Sequence, residues 1–168
     1  MNWLKREING KQLYSFVIAS IALNFGYSIL AFKVMGILNI GISPVRSAAD
    51  QIPIFTIFTP FILLGAAFVE EIFFRFAPLF VAVEMELSAK KLFVVVLVIS
   101  AVFGICHGSA QHILFQGIGG VIFSVVFLKC GAMQGRYFKA LIASAVSHFL
   151  FNVAVIITAV IKGGATSF

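Results

Sequence analysis

A chain of 168 residues that is 61% hydrophobic and 11% charged, with a mean hydropathy of +1.11, is too apolar for a soluble domain, which is about half apolar and about a quarter charged. It reads as an all-α integral membrane protein, a polytopic bundle of about five transmembrane helices in one domain over residues 1–168. The net charge of +6 does not indicate a nucleic-acid partner, because no basic stripe with interleaved aromatics accompanies it; positive loops in a membrane chain are a topology signal.

The N-terminal segment is basic (Lys5, Arg6, Lys11). The apolar run after it is too long for a signal-peptide core and lacks an A-x-A site, so no cleavable signal is expected. The first span is read at 13–32, followed by a loop with Gly36, Gly41, Pro44, Arg46 and Asp50. The second runs from 53 to 80, long for about 30 Å of hydrocarbon, with a kink expected at Pro60 and an end at Pro78. The segment VEMELSAKK, 83–91, is polar enough to lie at the interface. The third span covers 92–109, the fourth 112–131 and the fifth 138–161. QGIGG in the fourth supplies small residues that permit close helix approach. Cys106 and Cys130 both sit in apolar surroundings and read as small buried residues, not a disulfide pair. With the N-terminus inside, Lys5, Arg6, Lys11, Lys90, Lys91, Lys129, Arg136 and Lys139 lie on the cytoplasmic side, against Lys33, Arg46 and Lys162 outside. That bias expects a cytoplasmic N-terminus and an external C-terminus.

The stretch FVEEIFFRF, 68–76, puts Glu70, Glu71 and Arg75 inside the second span. A charge at the bilayer centre costs about 2.5–3.5 kcal/mol on insertion scales, so such residues pair or face an internal polar site. Glu71 and Arg75 are four apart with the acid on the N-terminal side, the favoured order for a helical ion pair. Glu70 lies about 100° round the helix from Glu71. It is left without that partner, so it either points at another polar group or is the kind of lone carboxylate that a general base requires.

Two other spans carry polar groups: His107 near the end of the third, His148 and Asn152 in the fifth. His148 and Asn152 share a helix face with Ser144, and Phe103 is placed to pack its ring on His107. His112, beside Gln111, reads as a solvated turn residue. One chemistry is hydrolysis, with Glu70 taking a proton from water, His107 holding or activating that water, and His148 with Asn152 donating to an oxyanion. The other is a metal site, since one Glu and two His (Glu70, His107, His148) form a catalytic zinc set. Other intramembrane protease types fit less well. There is no HExxH helix, Asp50 is the only Asp, and Ser109 lacks a G-x-S-G setting.

These motifs resemble a known family. EEIFFR (70–75) is similar to the EExxxR motif of the CAAX protease and bacteriocin-processing family, related to the Ras-converting CAAX endopeptidase. FGICH (103–107) resembles its FxxxH motif and HFLFN (148–152) its HxxxN/D motif. The resemblance covers residues 53–160 as a catalytic core, with 1–52 as an added basic segment, span and loop. It implies a glutamate-dependent intramembrane endopeptidase of a prokaryotic plasma membrane. Glu70 would be the catalytic base and His107 its partner; His148 and Asn152 would form the oxyanion site, with Glu71 and Arg75 as a supporting ion pair. It implies a peptide or lipidated-protein substrate at the lipid bilayer, cut near the C-terminus of a prenylated (CAAX) or other membrane-associated peptide, and no cofactor, zinc being the alternative. The competing reading is a non-proteolytic membrane interaction or immunity protein of the same fold.

Overall fold

A backbone in hydrocarbon has no water to bond, and a helix satisfies its N–H and C=O groups internally. The structure, a computed structural model, describes residues 6–8, 10–38 and 58–164, with side chains to 158, and every regular element among them is helical. α1 spans Lys11–Ile37. α2 (Thr59–Glu71), a π-helical turn (Ile72–Phe76) and α3 (Ala77–Glu84) run on without a break. α4 spans Ala89–Cys106, and a 3-10 turn at Ala110–Ile113 leads to α5, Gln116–Lys129. A second 3-10 turn, Ala132–Gln134, precedes α6, Tyr137–Gly164. Among the described residues, four stretches are long and apolar enough to cross a membrane: Lys11–Ile37, Ala89–Cys106, Ala110–Gln134 and Tyr137–Thr158. The Thr59–Glu84 rod crosses the bundle beside them and carries the charges.

The side-chain distribution is inverted relative to a soluble protein. Large apolar residues such as Ile37, Phe61, Phe73 and Phe138 are exposed, while Glu71, Arg75, Ser144 and His148 are buried. That arrangement suits a protein whose solvent is lipid. α4, α5 and α6 pack in sequence, and α2 lies against α6. The π turn touches α4, α5 and α6 together. The apolar core, including Leu79, Val96, Phe127 and Leu141, sits toward the α3 end. α1 packs on α5 and α6, where Ser20 and Ser147 share a hydrogen bond of 2.7 Å.

One end of the bundle gathers the basic residues. Lys129 Nζ donates to the Arg6 carbonyl, and the Ile8 amide donates to the Lys129 carbonyl at 3.2 Å. Glu7 pairs with Lys139 at 2.6 Å and with Arg136 at 3.2 Å. Lys129, Arg136 and Lys139 thus lie on the same side as the N-terminal segment.

The structure corrects several expectations. Pro78 does not end the second helix, which continues to Glu84. A proline lacks the N–H for a residue four back and clashes with that carbonyl. Here the helix widens just before it, with the Ala77 amide bonding Ile72 O five residues back, so the rod passes the proline intact. Pro60 lies in the first turn of α2, where a missing N–H costs little, rather than at a kink. α1 runs past residue 32, so Lys33 and Gly36 are helical. His112 is buried, not solvated, with Nδ1 3.0 Å from Gln116 Oε1. Cys130 is buried as expected, but Cys106 is exposed on the outer face of α4. Lys5, the loop with Gly41, Pro44, Arg46 and Asp50, and residues 53–57 of the expected second span lie outside the described residues.

Candidate active site

The charges of the second span sit at the junction of α2 and the π turn. Arg75 Nη1 lies 3.1 Å from Glu71 Oε1, the i,i+4 pair that the spacing demands, and both side chains are fully buried. The angle at this contact is outside a hydrogen bond, and neither Nη1 nor Nη2 has another acceptor among the described residues. The guanidinium is held by charge and by ring faces, with its carbon 4.2 Å from the Phe103 ring centre and 5.6 Å from that of Phe123. α5 can come this close because Gly120 has no side chain. A Cβ there would meet Ser100 Oγ at 3.1 Å and Arg75 Nη2 at 3.2 Å.

α6 supplies the next layer. His148 Nδ1 lies 3.0 Å from Glu71 Oε1, and the Ser144 hydroxyl donates to Glu71 Oε2. The His148 ring stacks on Phe123, with centres 4.6 Å apart and planes 21° apart. Its Nε2 lies 3.6 Å from Glu70 Oε2. Glu70 differs from its neighbour in exposure: its side chain is 33% exposed, against 0% for Glu71. One glutamate is committed to the interior and the other faces an accessible space.

His107 caps α4. Its Nδ1 is 2.8 Å from the Phe103 carbonyl, which can only accept, so Nδ1 carries the proton and Nε2 is left as the basic nitrogen. The Phe103 ring packs against His107 at 4.5 Å, as the spacing suggests, and against His148 at 5.8 Å. Both imidazoles therefore border one ring, although they sit at different depths of their own helices. The imidazole that reaches Glu70 directly is His148. Asn152, half-buried, lies one turn beyond it on α6.

Two participants, Ser144 and Phe123, were not legible as such, whereas Gly120 belongs to the QGIGG stretch expected to permit close helix approach. Ser144 is on the right face, but its bond to Glu71 depends on how α2 meets α6. Phe123 lies in an apolar run with no polar signal; its part follows from the packing of α5 against Arg75. Among the described residues no three His, Cys, Asp or Glu side chains meet closely enough to hold a metal ion. The arrangement as it stands offers acid–base chemistry: an accessible carboxylate, two imidazoles with their Nδ1 atoms engaged, and an amide nearby.

A family model described as type II CAAX prenyl endopeptidase Rce1-like matches residues 52–154. No curated protein and no solved structure matches the chain. α1 lies outside the matched stretch, which contains Glu70, Glu71, Arg75, His107, His148 and Asn152. Matched over more than half its length on the segment that builds this polar cluster, the chain belongs to the Rce1-like type II CAAX prenyl endopeptidases, a protease family.

Proposed function

We propose that the protein is an intramembrane endopeptidase that hydrolyses a peptide bond without a resident metal. Glu70 takes a proton from a water molecule, and His107, through Nε2, holds and helps activate that water. The water oxygen bonds to the scissile carbonyl carbon; Glu70 passes the proton to His148 Nε2, 3.6 Å away, which with Asn152 then donates to the oxyanion. As the oxyanion collapses the C–N bond breaks, and that proton goes to the leaving amine. Glu71 and Arg75 keep the helix charges neutral. The observation that carries this reading is the division of labour between adjacent glutamates. Glu71 is consumed by Arg75, Ser144 and His148, whereas Glu70 is one-third exposed, with His148 Nε2 3.6 Å away. A partly exposed base set among lipid-facing helices acts on substrates held at the membrane. The family match supports a peptide ending in a prenylated CAAX sequence.

The test is cleavage of a quenched-fluorescence peptide with a farnesylated CAAX end by the protein in liposomes. Wild type is expected to cleave, and Glu70→Gln to lose about 10²-fold or more of the rate, the scale of a lost general base, while keeping its helical signal. Equal cleavage by both would remove Glu70 from the mechanism. No cleavage by either across prenylated and unprenylated peptides would favour a non-proteolytic membrane protein of the same fold.

A further inference from the structure

Glu71 is more than the counter-ion of Arg75. Oε1 faces both Arg75 Nη1 at 3.1 Å and His148 Nδ1 at 3.0 Å, and Oε2 receives the Ser144 hydroxyl. Arg75 and Glu71 belong to one rod and pair through local geometry alone. His148 and Ser144 come from α6, one turn apart, and both aim at the same carboxylate.

An ionised carboxylate only accepts hydrogen bonds. The contact with Glu71 therefore puts a proton on Nδ1 of His148 and selects the tautomer. The stack on Phe123 sets the plane of the ring. With Nδ1 committed and the plane fixed, Nε2 is the one nitrogen left, and it points to the accessible glutamate. We propose that Glu71 is a positioning residue for catalysis: acting through His148 Nδ1, it fixes the tautomer and orientation of the ring so that Nε2 faces Glu70 and the reacting carbonyl. What Nε2 does there rests on the endopeptidase reading; how the ring is held does not.

Removing Glu71 alone would strand a buried guanidinium, so loss of function by that variant would be ambiguous. A double exchange, Glu71→Met with Arg75→Met, removes both charges and replaces them with apolar side chains. Such exchanges of a buried ion pair are often neutral or stabilising. The full chain, labelled with 15N-histidine in micelles, gives an activity-independent readout: long-range 1H–15N correlations report which imidazole nitrogen carries the proton. His148→Gln assigns the signals among the three histidines of the chain. The expected result is protonated Nδ1 at His148 in wild type and loss of that preference in the folded double variant. In parallel, kcat should fall by up to about 10⁴-fold with KM little changed, the scale seen when the partner fixing a catalytic imidazole is removed. Glu71→Gln with Arg75→Gln, whose amide oxygen can still accept from Nδ1, should recover part of both signals. A double Met variant that folds and keeps the wild-type His148 tautomer would overturn the proposal, as would wild-type kcat in that variant. A wild type that cleaves nothing, with the Nδ1 preference present in it and lost in the folded double variant, would sink the endopeptidase reading and leave the positioning of His148 by Glu71 standing.

Discussion

At the scale of single residues, the largest energetic stake is Arg75. It is 1% exposed, its charge is met by one carboxylate, and the faces of Phe103 and Phe123 enclose it. Replacing it alone with leucine leaves Glu71 as a buried anion without its cation. Arg75→Leu is expected to destabilise the protein by about 3–5 kcal/mol, measurable by denaturant unfolding in mixed micelles. An unchanged midpoint would mean that the pair contributes nothing to the fold. The charges themselves were legible from spacing, because i,i+4 geometry separates Glu71 from Glu70 whatever the tertiary structure. The sequence did not disclose that His148 bridges the two. Its reach to Glu71 at one nitrogen and Glu70 at the other depends on the distance between α2 and α6, which no local pattern encodes.

At the scale of elements, the π turn and the α4–α5 turn decide where the site lies. The π turn carries Arg75 and contacts α4, α5 and α6, so the local widening that accommodates Pro78 also sits at the centre of the polar cluster. Gly104, within the FGICH motif, is the contact on which the second turn depends. A Cβ there would lie 2.6 Å from Ile113 Cα and 2.9 Å from the His112 carbonyl. Those are backbone atoms that cannot rotate away. Gly104→Ala is expected to cost about 1–3 kcal/mol and to lower cleavage, because His107 caps the same helix three residues on. Gly65→Ala in α2, where a Cβ meets nothing within 4 Å, should be neutral or gain about 0.5–1 kcal/mol. Unfolding midpoints of the two variants, taken side by side, check the contrast; equal midpoints would refute the close approach at Gly104. The number and order of helices followed from apolar run lengths. The passage through Pro78 did not, because a single π-type hydrogen bond shift leaves no compositional trace.

At the scale of the molecule, the polar interior and apolar exterior follow from the bilayer as solvent. The two cysteines sample both regions: Cys106 is exposed and Cys130 is buried. A small apolar maleimide is expected to modify Cys106 in the folded protein in micelles and Cys130 only after unfolding. Mass spectrometry of the peptides would read this, and prompt modification of Cys130 in the native protein would contradict the packing of α1 and α6 over it. α1 is outside the stretch matched by the family, yet it covers α5 and α6 and binds Ser147, the neighbour of His148, through Ser20.

By itself the sequence determined that the chain is a helical membrane protein, that Glu71 and Arg75 neutralise one another, and that three separate spans bring polar groups to the interior. Those properties depend on composition, run length and helical period, all of which are local. Only the tertiary structure decided that both imidazoles border Phe103, that His148 stands between the two glutamates, and that His112 is buried while Cys106 is not. These depend on how closely and at what rotation the helices meet, which is set by packing at positions such as Gly104, Gly120 and Phe123 rather than by anything periodic in the chain.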